Sequence, residues 1–146
     1  MQPQSFFELR TPRDMLRKAE RELIRLQTDF NIDNIFNFFV TAYHIRDYVE
    51  EARKVSTRDL DSFFSDPDLQ ACQALCNKGK HMRLSGHPNA MTDIASGGYG
   101  CHSFGEAAFG EGDIRRLFYA DRAVDVRSLP ARVIQKWDQF LLKNGL

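Results

Sequence analysis

A long apolar run is missing: nothing in the 146-residue sequence approaches the roughly 18 consecutive apolar residues that a membrane-spanning helix needs. Residues 1–10 also lack the basic and then apolar pattern of a signal peptide. Net charge is missing as well, because 20 lysines and arginines balance 20 aspartates and glutamates. This balance argues against broad affinity for nucleic acid, which needs a basic surface, but it allows a local basic patch. We therefore expect a cytoplasmic protein without a membrane anchor.

Cysteine is scarce, with three residues in the chain. The sequence has no C-x-x-C pair or two-ended cluster of the kind that holds structural zinc. Cys72 and Cys76 are one helical turn apart, and we expect them to be small core residues of a reduced protein. The glycines between residues 97 and 112 lack the Gly-Lys-Ser/Thr ending of a phosphate-binding loop. The sequence thus predicts neither a metal nor a cofactor.

What the sequence does contain is a helical period, with apolar residues recurring at spacings of three and four. Thr11 and Asp14 have the spacing of a capping box, and Asp66 followed by Pro67 is a typical helix start. We predict helices over residues 12–30, from Asn31 or Asp33 to about 54, over 67–84 and over 128–143, with a short capped turn or helix over 56–64.

Residues 85–113 interrupt this helical pattern, because they contain seven of the nine glycines. Two short β-branched and aromatic runs follow, at 114–119 and 123–127. They surround a tight polar turn and predict a hairpin, with a further strand near 91–95.

Together these elements predict one mainly α domain over residues 1–146. The short links between helices favour an up-and-down bundle of four main helices, built from residues 12–84 and 128–143. A β-hairpin and Gly-rich excursion over 85–127 separates the third main helix from the fourth.

The third main helix ends in a polar and basic cluster. Asn77 and His81 are one helical turn apart, and Lys80 lies beside both. Histidine exchanges protons near neutral pH and lysine stabilises anions such as phosphate, so these residues suit cleavage of a phosphate backbone. Alternatively, the three side chains only close the helix, where the helix dipole favours basic residues.

A second cluster lies on the second helix and contains His44, Arg46 and Asp47. His44 and Asp47 are three residues apart and therefore neighbours on the helix surface. A carboxylate in this position can orient an imidazole, as in many acid–base sites. The alternative is a half-buried polar contact with a structural role. We expect an offset in register between the two helices to bring His44 close to His81.

Two motifs in these clusters resemble a pattern in small uncharacterised bacterial and phage-related proteins of the HEPN-like superfamily. They are Tyr-His-Ile-Arg-Asp-Tyr at residues 43–48 and Asn-Lys-Gly-Lys-His at residues 77–81. The resemblance covers roughly residues 12–84 and, more loosely, the last helix. It implies a helical bundle that usually forms a homodimer. Many members are metal-independent ribonucleases of toxin–antitoxin or phage-defence systems, and others bind nucleotides or act as scaffolds.

On this resemblance His81 matches the family's histidine by its place near the helix end. The arginine that precedes the family's histidine has no counterpart here, so its role passes to Lys78, Lys80 or Arg46. We expect RNA or a nucleotide as partner, with His81 as acid–base residue and Lys80 as phosphate contact. Asn77 and Arg46 are expected in support. The rival hypothesis is a non-catalytic helical interaction module whose polar residues are structural.

Overall fold

The computed structural model describes residues 4–81, 91–95, 114–119 and 122–146. Within them the protein is mainly helical with a small three-stranded antiparallel sheet, as the sequence predicts. The helices are α1 (Pro12–Thr28), α2 (Ile32–Ala52), α3 (Thr57–Phe63), α4 (Pro67–Lys80) and α5 (Leu129–Lys143). The strands are β1 (Met91–Ala95), β2 (Ile114–Tyr119) and β3 (Arg122–Asp125). None of the described helices is long and apolar enough to cross a membrane.

Side-chain caps determine where the first four helices begin. Thr11 Oγ1 accepts a hydrogen bond from the backbone N–H of Asp14 at 3.1 Å, and the Asp14 carboxylate accepts one from the Thr11 N–H at 3.0 Å. This capping box satisfies backbone donors that have no partner inside α1. The side chains of Asn31, Ser56 and Asp66 likewise accept backbone N–H groups at the starts of α2, α3 and α4.

Helix α4 ends earlier than predicted. The apolar spacing predicts a helix to residue 84, whereas the helix ends at Lys80 and His81 has extended backbone angles, φ −133° and ψ 130°. Lys80 and His81 are both exposed, so neither side chain holds the end of the helix against the core. An unsupported turn is marginal in water. Residues 82–84, like most of the predicted Gly-rich excursion, lie outside the described residues.

The four longer helices share one apolar core. Both α1 and α4 pack against α2 and against α5. Trp137 of α5 is fully buried, and its ring lies 4.7 Å from that of Phe63 and 5.6 Å from that of Phe64, measured between centroids. Each such aromatic pair contributes about 0.5–1.5 kcal/mol beyond the burial of its surface. Through these contacts Phe63 and Phe64 pack against the core.

The sheet has β2 at its centre, with β1 and β3 paired antiparallel on either side. The predicted positions of β1 and β2 are confirmed, while β3 ends before the prediction because residues 126–128 form a turn. Leu117 of β2 is fully buried in the core, and β2 contacts α4. Since side chains alternate along a strand, Arg115 shares the helix-facing side of the sheet with Leu117.

Candidate functional site

The two polar clusters meet where α2 and α4 pack together. Gly79 permits the close approach, because an added Cβ there would lie 2.9 Å from Cδ2 of Phe36. One residue later, Lys80 Nζ lies 2.8 Å from His44 Nε2. These residues are 36 positions apart in the chain, so helix packing makes the contact. The structure therefore joins Lys80 of the first cluster to His44 of the second.

The hydrogen bonds of His44 define which ring nitrogen carries the proton. Nδ1 lies 2.6 Å from the carbonyl oxygen of Val40, one turn earlier in α2. A carbonyl oxygen only accepts, so Nδ1 donates. Nε2 faces the Lys80 ammonium, which only donates, so Nε2 accepts with its lone pair. In this arrangement Nδ1 carries the ring proton, and Nε2, the one proton-accepting position of the ring, faces a cation.

Asp47 lies near this pair without a hydrogen bond to it. Its Oδ2 is 4.0 Å from His44 Nε2, which is too long for a hydrogen bond. The orientation of the His44 ring therefore comes from the Val40 carbonyl, while Asp47 contributes a negative charge at the exposed edge of the site.

Tyr43 of α2 and Cys76 of α4 are two further titratable side chains on the helices that form the site. The ring of Tyr43 lies edge-on to the imidazole, with 5.4 Å between centroids. Burial raises the pKa of Tyr43 above its ordinary value. Burial also raises the pKa of the Cys76 thiol to about 11, against the lowering effect of the Lys80 charge. Both groups are protonated near neutral pH, so neither is an activated nucleophile.

Arg46, the other predicted contributor from α2, is already held by two carboxylates. Its Nε lies 3.1 Å from Glu50, its Nη2 lies 2.9 Å from Asp61, and its guanidinium is 5.0 Å from the centroid of the Phe64 ring. Burial alone lowers the pKa of Arg46, but the hydrogen bonds to Glu50 and Asp61 outweigh it and raise that pKa. Arg46 therefore ties α2 to α3, and its charge is largely neutralised.

Asn77 and His81 lie at the end of α4 on either side of Lys80. The backbone N–H of His81 donates to the carbonyl of Asn77 at 2.9 Å, which closes the helix. Asn77 is half-buried and His81 is exposed. The structure thus leaves the imidazole of His81 open to solvent, while the imidazole of His44 is held in place.

Sequence patterns miss two features of this site. The first is the hydrogen bond from His44 to the Val40 carbonyl, because a backbone acceptor cannot be recognised from the type of its residue. The pairing of Lys80 with His44 depends on how α2 and α4 are registered. The one available signal is Gly79, a poor helix former within a helix, which is typical of a close approach to a neighbouring element.

The described residues hold no group of three or more His, Cys, Asp or Glu side chains that could bind a metal ion. Cys72 and Cys76 are buried, and burial raises the pKa of both thiols, which disfavours the thiolate form that metals bind. Three further side chains of types that bind metals, His87, Cys101 and His102, lie outside the described residues.

Comparison of the chain with protein-family models, with curated proteins and with solved structures found no match.

The chemistry open to the site follows from two adjacent groups, the lone pair of His44 Nε2 and the cation of Lys80. The first can take up a hydroxyl proton and the second can hold an anion.

Proposed function

We propose that the protein is HEPN-like and has a metal-independent, RNA-directed activity centred on His44 and Lys80. The observation that carries the proposal is the 2.8 Å contact between His44 Nε2 and Lys80 Nζ. In this proposal His44 is the general base, and His81, the acid–base residue expected from the sequence, is the general acid. The reason is that Val40 orients the His44 ring and leaves Nε2 as its proton acceptor.

In the proposed reaction a ribose 2′-hydroxyl replaces the Lys80 ammonium at His44 Nε2. Lys80 is exposed and turns to a non-bridging phosphate oxygen. His44 accepts the hydroxyl proton while the 2′-oxygen bonds to phosphorus, and the bond from phosphorus to the 5′-oxygen breaks. Lys80 stabilises the charge that develops on the phosphate. His81 acts as the general acid and donates a proton to the 5′-oxygen, and the products are a 2′,3′-cyclic phosphate and a free 5′-hydroxyl.

The remaining predicted residues act indirectly in this proposal. Arg46 keeps α3 against α2, because its Nη2 lies 2.9 Å from the carboxylate of Asp61 in α3. Asp47 attracts the Lys80 ammonium back to the pair after each turnover. Asn77, half-buried one turn before His81, offers an amide to the ribose or base.

We also infer that α1, α2, α4 and α5 form the up-and-down bundle that the resemblance implies. In support, α1 and α4 each pack against both α2 and α5, which closes a ring of four helices. The link at residues 29–31 is short, as between antiparallel neighbours. The same resemblance leads us to propose a cytoplasmic homodimer that acts in a toxin or defence system.

A second candidate function is a non-catalytic helical interaction module. The zero net charge favours it, and so does the exposure of Ile32 and Phe36, at 62% and 42%. In such a module the bond between Lys80 and His44 only ties α4 to α2, contributing on the order of 1 kcal/mol.

Cleavage of total RNA by the purified protein in the presence of EDTA tests the proposal. We expect His44→Gln to lower the cleavage rate about 10²–10⁴-fold, because glutamine keeps a hydrogen-bonding group but takes up no proton at neutral pH. Lys80→Met should also lower it, because the phosphate charge loses its partner. Lys143→Met is the matched control, since Lys143 is an exposed lysine in the last position of α5, as Lys80 is in α4.

Two results would contradict the catalytic proposal. One is RNA left intact by a nuclease-free preparation of the parent protein at every pH tested. The other is cleavage that His44→Gln does not slow although the variant is folded by circular dichroism. A further variant, His81→Gln, assigns the second proton transfer: a slower reaction assigns it to His81, and an unchanged rate assigns it to water.

A further inference from the structure

A second site lies between α2, α4 and the sheet, and neither His44 nor Lys80 is among its described lining residues. It is an open cavity of about 500 Å³, a volume typical of small-molecule sites. Six apolar side chains form its walls: Ile32, Ile35, Phe36, Phe39, Leu75 and Val126. Ile32 and Phe36 remain 62% and 42% exposed, so large apolar side chains face solvent at the site.

The sheet side of this cavity is basic. Arg115, Arg116 and Asp93 line it. Arg116 Nη2 lies 3.5 Å from Asp93, and its guanidinium lies 5.6 Å from the centroid of the Phe118 ring, so Arg116 has partners for its charge. Arg115 shares its strand face with the buried Leu117 and therefore faces the helices.

Arg115 lacks a partner of this kind. It forms no ion pair with any residue in the described part of the chain, and its Nε is buried without a hydrogen bond there. The Nε of Arg116 is likewise unsatisfied. A buried donor without an acceptor carries an uncompensated desolvation cost, which an anion held against Arg115 would remove.

We propose that this cavity binds a small amphipathic anion. The apolar body of the ligand lies among Phe36, Phe39 and Leu75, and its single carboxylate or phosphate head is held by Arg115. The apolar walls disfavour a nucleotide base, whose polar edges need hydrogen-bond partners. The site is therefore independent of the proposed RNA-directed activity, and either can fail without the other.

Calorimetric titration of the full-length protein tests this site. The probes are decanoate, used below its micelle concentration, and 2-naphthoate. Comparing them shows whether the cavity prefers a ligand with an aliphatic or an aromatic body. Decyltrimethylammonium, with the same chain and the opposite charge, is the ligand control. We expect at least one of the two anions to bind and the cation not to bind. Arg115→Gln should weaken anion binding about tenfold or more. Arg122→Gln, an exposed arginine on β3, should leave it unchanged.

A measurement on the parent protein keeps the test decisive if Arg115→Gln fails to fold. Amide chemical shifts should move on addition of the bound anion at Phe36, Gly79 and Arg115, and stay constant at Glu20 of α1. The proposal is overturned if neither anion binds at millimolar concentration, or if the cation binds equally well. It is also overturned if Arg122→Gln weakens binding as much as Arg115→Gln, or if the shifts move away from the cavity.

Discussion

His44 shows how neighbouring groups decide the chemistry of one side chain. An imidazole has two ring nitrogens, and the first donates its N–H to the Val40 carbonyl. The second nitrogen then has only its lone pair to offer, to the Lys80 ammonium here and to a hydroxyl proton in the proposed reaction. Cys76 of α4 is likewise governed by its surroundings, because burial raises the pKa of its thiol to about 11 and keeps it protonated near neutral pH.

Gly79 is the second residue whose environment explains its identity. Glycine in a helix costs about 0.5–1 kcal/mol relative to alanine. Here an alanine Cβ would lie 2.9 Å from Cδ2 and 3.1 Å from Cε2 of the Phe36 ring. The ring would have to move, so the gain in helix propensity is offset by lost packing between α2 and α4.

A double-mutant cycle tests this account of Gly79. In the parent protein, Gly79→Ala should bring no gain in the free energy of unfolding, because the Phe36 ring is displaced. In a Phe36→Ala background the same change should stabilise by about 1 kcal/mol, since only helix propensity remains. Urea unfolding measures both. An equal effect of Gly79→Ala in the two backgrounds would show that Phe36 does not explain the glycine.

At the scale of elements, an ion-pair network joins the start of α4 to α5. Lys136 Nζ lies 2.8 Å from the carboxylates of both Asp66 and Asp68, and Arg132 Nε lies 3.1 Å from Asp68. Burial alone raises the pKa of Asp68, but the hydrogen bonds from Arg132 and Lys136 outweigh it and lower that pKa below 3.8. The same carboxylates raise the pKa of Lys136 against the effect of its own burial.

Because of this network, the free energy of unfolding should fall as the pH is lowered into the acid range. Since the folded-state pKa of Asp68 lies below its unfolded value near 3.8, its carboxylate stabilises the fold at all higher pH. The stabilisation is lost as pH falls through the lowered folded-state pKa. We expect Asp68→Asn to reduce the free energy of unfolding by about 1 kcal/mol near neutral pH, with a smaller deficit in acid.

Urea unfolding of the parent protein and of Asp68→Asn, at neutral pH and at successively lower pH, measures this difference in the free energy of unfolding. Glu20→Gln is the control, because Glu20 is exposed on α1 and forms no ion pair among the described residues. A deficit for Asp68→Asn that stays constant across the whole pH range would mean that the ion pairs of α4 with α5 do not set this dependence.

At the scale of the whole molecule, local signals in the sequence are sufficient to predict most elements. The capping box at Thr11 and Asp14 is seen in the structure, and the residues of β1 and β2 are those predicted. The end of α4 is predicted too late, because nothing local marks Lys80 as the last supported position. Both clusters are visible in the sequence as well, since their residues are neighbours on single helices.

What the sequence does not disclose is which members of the two clusters meet. The contact of Lys80 with His44 depends on the packing of α2 against α4 at Gly79. A long side chain such as lysine also has several rotamers, so its partner cannot be predicted from its position alone. Of the two acceptors of Arg46, Glu50 lies one turn later in α2 and can be predicted from the sequence. Asp61 lies on α3, so its bond to Arg46 depends on tertiary packing.

The central claim is that the fold fixes the tautomer of His44, with the ring proton on Nδ1 and the lone pair of Nε2 facing Lys80. Long-range ¹H–¹⁵N NMR spectra of the imidazole rings, recorded at alkaline pH where histidines are neutral, measure this directly, and the signals of His44 are assigned by their loss in His44→Gln. We predict a protonated Nδ1 and an unprotonated Nε2 for His44. A proton on Nε2 would place two donors against each other at the Lys80 contact and would contradict the site.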